Sequence, residues 1–207
     1  MPLQNRVDPW GNLIAVSARG AWMGNRGTLH NENREIVTPS KRKPWVTCQL
    51  KFKDRHREVF GPNTYSELFF LDEATAFSAG HRPCATCRRD RYNAFKEEWT
   101  RANHSDASNL PITEIDKQLH TERMARGGKK VTYVAEFGEL PEGTFIERDG
   151  KAYLLWGSKL QEWTQVGYRQ SGFSVSPGET VTVLTPRSIV VLFKAGFRPQ
   201  VHESAHS

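Results

Sequence analysis

Ala79-Gly80-His81-Arg82-Pro83-Cys84-Ala85-Thr86-Cys87-Arg88-Arg89 carries two of the three cysteines of the chain, two residues apart. A Cys-x-x-Cys turn brings two thiolates to one point, as half of a tetrahedral zinc site does. The neighbours agree with a turn between helices. Gly80 can take the left-handed conformation that ends a helix, and Pro83 cannot continue one. Asp72 is placed to cap a short helix over 73–79. A second helix is predicted from about Arg88 to Ala102, with Tyr92, Phe95 and Trp99 on one face. The competing use of such a motif is a redox pair, but no thioredoxin-like strand and helix surround it.

Working outward, Tyr65 to Leu71 is an apolar run that reads as a strand. Trp45 to Lys53 alternates in period two, with Val46, Cys48, Leu50 and Phe52 on one face, and predicts a half-buried strand. Arg57-Glu58-Val59-Phe60 is its expected hairpin partner. Leu13 to Val16 reads as a first strand. Arg19 to Gly27 reads as a Gly- and Arg-rich loop that lets backbone approach a ligand, or as a surface hairpin. Beyond the motif, 103–111 is a polar linker, and Thr113 and Asp116 suggest a capped helix that stops at Gly127-Gly128. Strands are then expected at 131–137, 144–148, 152–156 and 179–184, with a hairpin turn at Asp149-Gly150. Trp156, Trp163 and Tyr168 read as core aromatics of a small β-barrel or as part of a ligand groove. Pro186 opens a last helix through Lys194.

The expected fold class is therefore α+β. A module of short strands and two helices covers 1–104, a helical linker 105–130, and a mostly β module with a C-terminal helix 131–207. The 207 residues hold 37% hydrophobic residues and six tryptophans, enough for a core. A formal charge of +6 favours an anionic partner. No apolar run reaches the roughly 20 residues of a membrane helix, and no signal-like apolar region opens the chain. These features lead to the expectation of a cytoplasmic protein without a membrane partner. The odd number of cysteines argues against a disulfide framework.

The stretch from Tyr65 to Cys87 resembles the second half of the Ada-type zinc-binding domain of bacterial DNA alkylation-repair proteins. The likeness rests on Gly80 and on Arg82-Pro83-Cys84-x-x-Cys87, after an aromatic strand and a short helix containing Glu73-Ala74. It covers about two dozen residues directly and 13–100 loosely. It implies a zinc module and contact with DNA. The family's upstream Cys-x-x-x-Cys is missing, and Met23 stands where a cysteine would be expected. The methyl-accepting activity of the repair proteins therefore does not carry over.

The remaining ligands must come from elsewhere. Cys48 is the third cysteine, and His30 follows a strand and precedes the loop leading to it. The proposed zinc set is His30, Cys48, Cys84 and Cys87. The alternatives are a buried free thiol at Cys48, a surface histidine at His30, and His81 or His56 as the ligand; His81 stands where the family has an aromatic residue and is expected to pack or to meet a partner.

Cations gather around the motif. Arg19, Arg26, Arg42, Lys43, Arg82, Arg88 and Arg89 are the candidate nucleic-acid contacts, for DNA rather than RNA, with Trp22 or Trp45 stacking on a base. The alternatives are a solvated basic face, a metalloenzyme acting on a nucleobase or phosphate substrate, and an interaction protein whose zinc only holds the fold. No P-loop or Gly-x-Ser-x-Gly motif is present.

Overall fold

The computed structural model describes residues 1–53, 58–107 and 109–206. The fold is α+β, with two six-stranded sheets and four α-helices among the described residues. The first sheet is built from β1 (Gln4–Val7), β2 (Leu13–Ala15), β3 (Trp22–Asn25), β4 (Val46–Cys48), β5 (Leu68–Phe70) and β6 (Arg82–Pro83). Their order is β2-β1-β5-β3-β4-β6. Two of its pairings are parallel, β1 with β5 and β4 with β6. Helices α1 (Glu73–Ser78) and α2 (Arg89–Asn103) flank β6, and α3 (Ile112–Arg123) follows.

The second sheet runs β11-β10-β9-β8-β12-β7, antiparallel throughout. Its strands are β7 (Tyr133–Glu136), β8 (Phe145–Arg148), β9 (Lys151–Trp156), β10 (Lys159–Thr164), β11 (Gly167–Gln170) and β12 (Thr180–Val183). Asp149 and Gly150, both with positive φ, close the β8–β9 hairpin as the Asp-Gly pair predicts. Helix α4 (Arg187–Lys194) ends the regular structure apart from a short 3₁₀ turn at Glu203–His206.

Four local expectations change. The strand read over 45–53 stops at Cys48, and Leu50 is exposed. The reason is pairing: β4 lies against β3 only from Val46 to Cys48, so the residues beyond have no ladder on that side. Val59 and Phe60 form a turn, not the hairpin partner; Arg57 lies outside the described residues. Thr113 does not cap α3, which begins after Pro111 with no side-chain cap, and Asp116 instead pairs with Arg82. The Gly- and Arg-rich segment contains β3, an interior strand of the first sheet. Gly24 is required there, because a Cβ would lie 2.3 Å from the Phe70 ring.

Helix α1 organises the packing. All six of its residues are buried, because each side meets a different part of the molecule. Ala76 joins Val7, Leu68 and Phe70 of the first sheet. Ala74 joins Phe145, Leu154, Trp156 and Tyr168 of the second. Phe77 joins Phe95, Trp99, Ile115, Leu119, Ile189 and Phe193 from α2, α3 and α4. Asp72 caps the helix by accepting from Thr75 N at 2.8 Å. Its other oxygen accepts from Tyr168 Oη at 2.7 Å, tying the cap to the second sheet. Burial pushes the Asp72 carboxyl up and, with Asp72 alongside, the Tyr168 phenol well up.

Gly80 ends this helix with φ of +82°, and a Cβ there would sit 2.3 Å from Arg123 Cδ. Gly80→Ala combines a left-handed alanine with overpacking in a buried site. It is expected to cost about 2–4 kcal/mol in urea unfolding. A loss under about 0.5 kcal/mol, the level of an ordinary surface change, would show that the turn relaxes freely.

Candidate metal centre

The three cysteines, distant in sequence, meet in space. Cys48 ends β4, Cys84 follows β6, and Cys87 lies in the turn before α2. The parallel pairing of β4 with β6 sets Val46 beside Arg82 and Thr47 beside Pro83. Cys84 N then donates to Thr47 O at 2.9 Å, which carries the register one residue further, to Cys48 and Cys84. The Sγ atoms of Cys48, Cys84 and Cys87 all lie within 4.8 Å of one another. Tetrahedral geometry at a Zn–S distance of about 2.3 Å asks for S···S separations of about 3.8 Å. The cluster can hold a metal ion with small side-chain adjustments.

The three thiols are coupled by hydrogen bonds to one another. Hydrogen bonds from Cys48 and Cys87 hold the Cys84 thiol below its ordinary range, helped by the backbone of Cys87 and Thr86. Thr86 N points at Cys84 Sγ from 3.4 Å. Hydrogen bonding to Cys84 and Cys87, together with burial, pushes Cys48 up. Cys87 is drawn down by Cys48 but ends raised, through Cys84 and burial. Clustered without a cation, the three sulfurs favour one thiolate that accepts from its neighbours; a bound divalent ion would let all three ionise.

His30 does not join them. The ligand atoms that converge are the three sulfurs, and among the described residues no histidine or carboxylate belongs to the group. His30 Nδ1 lies 2.6 Å from Ser66 Oγ and Nε2 lies 3.2 Å from Gly61 O, with the ring stacked on Phe60. Both nitrogens are occupied by local packing. His81 is buried between Trp45 and Phe70 and accepts from Arg26 Nε at 3.2 Å. Burial and the nearby Arg26, Arg123 and Lys130 keep it neutral. It packs, as its place in the motif suggests. His56 lies outside the described residues.

The arginines of the motif divide sharply. Arg82 is buried in a bidentate pair with Asp116, at 2.7 and 2.8 Å. Arg88 is buried over the Trp22 ring, bonded to Glu73 Oε1 at 2.7 Å and Thr47 Oγ1 at 3.1 Å. Arg26 is buried over the Trp45 ring. These three cannot reach a phosphate on the outside, because partners inside the fold already hold them. Trp45 is buried as well, and Trp22 lies half-buried under Arg88, so neither offers a free ring to a base. Arg19, Arg42, Lys43 and Arg89 are exposed.

The sulfurs form part of the wall of a groove of about 610 Å³. Arg42, Lys51 and Lys53 contribute cationic side chains to it, and Met23, Leu50 and Phe69 apolar ones. Sequence reasoning found the three cysteines through their spacing and scarcity. It missed the groove, since nothing in the order of residues says that 42, 51–53 and 84–87 share one surface. No helix among the described residues is long and apolar enough to cross a membrane. Comparison with protein-family models, with curated proteins and with solved structures finds no match to this chain.

Proposed function

We propose that the protein binds one zinc ion through Cys48, Cys84 and Cys87 and holds a nucleic-acid strand, DNA rather than RNA, along the surface around that ion. The observation that carries it is the meeting of three sulfurs from two separate stretches of chain. Thiolates select soft or borderline ions, and zinc is the redox-inert choice among them. The likeness of Gly80 and Arg82-Pro83-Cys84-x-x-Cys87 to the Ada-type module supports the same ion. The exposed Arg19, Arg42, Lys43, Lys51, Lys53 and Arg89 supply the cations that phosphates require.

Purified protein is expected to carry about one zinc per chain, with X-ray absorption showing three sulfurs at about 2.3 Å. Fewer than two sulfurs in that shell would remove the assignment. For the nucleic acid, fluorescence anisotropy with single-stranded DNA is expected to give a log–log salt slope of about −2 to −4. Changing Arg42, Lys51 and Lys53 together to Glu should remove this binding while leaving zinc in place. A flat salt response would refute the phosphate contacts and leave the metal site standing.

A second reading, a metalloenzyme acting on a nucleobase or phosphate substrate, is favoured by the position of the sulfurs in the groove wall. It requires a fourth zinc ligand that exchanges with solvent. Displacement of a light-atom ligand by added imidazole in the absorption spectrum would support it, and an inert fourth ligand would exclude it.

A further inference from the structure

A second cavity, of about 400 Å³, lies between the hairpin of β1 and β2, the segment 36–39 and the segment 123–130. Its lining shares no residue with that of the cysteine groove. Its composition is unusual for a protein interior. Arg26, Arg123 and Lys130 all line it, and Arg26 and Arg123 are almost wholly buried. The carboxylates whose charge reaches these cations are Asp8 and Asp116. Asp116 is already engaged by Arg82 in the bidentate pair, and Asp8 caps its own turn by accepting from Asn12 N and Nδ2. When all are protonated, three cations face one remaining carboxylate among the described residues, an excess of about two charges; without an anion, burial leaves Lys130 only partly charged near neutral pH. Such an excess is costly unless an anion completes it.

Hydrogen bonding points the same way. Arg26 Nη1 donates to Gly11 O at 2.9 Å, and Arg123 Nη1 to Gly80 O at 2.9 Å. Arg26 Nη2 and Arg123 Nε are buried with no hydrogen-bond partner among the described residues. Both guanidiniums lie 3.9 Å from the Trp45 ring, which fixes their planes. Among the described residues, Lys130 Nζ donates to the carbonyl oxygen of Ser78, a neutral group. Burial pushes Arg26 and Arg123 down to about 9 and Lys130 down to about 7, the expected response of cations that lack counter-charge. The rest of the wall includes Trp10, Leu13, Ile36 and Val37, an apolar surface next to the charged one.

We propose that this cavity binds a small phosphate monoester, with its phosphate beside Lys130, Arg26 and Arg123 and its organic body against Trp10, Leu13 and Ile36. The charge decides the class. A phosphate monoester carries about −1.5 to −2 at neutral pH, which matches the excess, whereas a carboxylate supplies half of it. The volume decides the body, because about 400 Å³ falls within the range of small-molecule sites and exceeds the need of a bare phosphate ion.

The test is calorimetric titration of the zinc-loaded full chain with phenyl phosphate, inorganic phosphate and benzoate at constant ionic strength. Phenyl phosphate is expected to bind at least about tenfold more tightly than either of the others. Lys130→Met should weaken phenyl phosphate by about tenfold or more and, because it removes an uncompensated cation, raise the melting temperature of the unliganded protein. A lysine with a purely structural role would lower that temperature when removed. Arg26→Gln is the second variant, with the same loss of binding expected and zinc content unchanged in both. Benzoate binding as well as phenyl phosphate, no binding of phenyl phosphate by the wild type, or wild-type titrations in both variants would each overturn the proposal. None of these outcomes bears on the cysteine site, whose metal content is measured separately.

Discussion

Cys48→Ser is expected to release the metal and to loosen the edge of the first sheet where β4 meets β6. The effect should be large because so little else holds that edge. β6 is two residues long and pairs with β4 at only two positions. So short a strand is not stable from its backbone ladder alone. Zinc bound by thiolates contributes on the order of 10 kcal/mol to folding in small metal-bound domains, and losing one of three sulfurs forfeits most of that. The expected result is less than about 0.2 zinc per chain, against about one in the wild type, with a fall in thermal midpoint of 10 °C or more. Chelation of the wild type should reproduce the thermal shift. Leu50→Ser, two residues along and exposed, is the control and should alter neither quantity. A Cys48→Ser protein with full zinc and an unchanged midpoint would mean that β4 is not part of the centre.

Glu73→Ala is expected to cost about 3–5 kcal/mol, as the loss of one partner of a buried ion pair does. Glu73 is the counter-charge for two arginines. Its Oε1 accepts from Arg88 at 2.7 Å, its Oε2 from Arg91 at 2.7 Å, and the same Oε2 accepts from Gln200 N at 2.9 Å. The side chain is 1% exposed and that of Arg88 3%. Removal would strand the Arg88 guanidinium inside the fold without a counter-ion. Arg88 follows Cys87 directly and is the N-cap position of α2, so the same change should weaken metal retention during chelator competition. Glu73→Gln keeps the shape and is expected to recover part of the loss. Urea midpoints of the three proteins decide the matter, and a Glu73→Ala cost below about 1 kcal/mol, the size of an exposed pair, would show that water replaces the carboxylate.

Much of the secondary structure is legible in the order of residues, and for definite reasons. Asp72 before Glu73-Ala74 is a cap by chemistry, and Gly80 a helix end by its freedom at positive φ. Phe95 and Trp99 declare one face of α2 by spacing alone, and both are buried. Strands β10 and β11 escaped because Lys159-Leu160-Gln161-Glu162-Trp163-Thr164 has only two apolar residues, and its Gln161 is buried by pairing rather than by polarity. The strand expected through Lys53 overran because an alternating pattern does not show where the neighbouring strand ends.

The sequence by itself determined that two thiolates face one point at Cys84 and Cys87, because that geometry is local and needs only a turn. Only the tertiary structure brings the Cys48 sulfur to that same point and leaves His30 outside the cluster, because a parallel pairing between β4 and β6 joins residues far apart in the chain. It also decided which cations face water. Arg26, Arg82 and Arg88 have the same chemistry as Arg19, Arg42 and Arg89, and what separates them is a buried partner contributed from elsewhere in the fold. Charge is a property of the residue; whether it is solvated, paired or left waiting for an anion depends on the residues that the fold sets beside it.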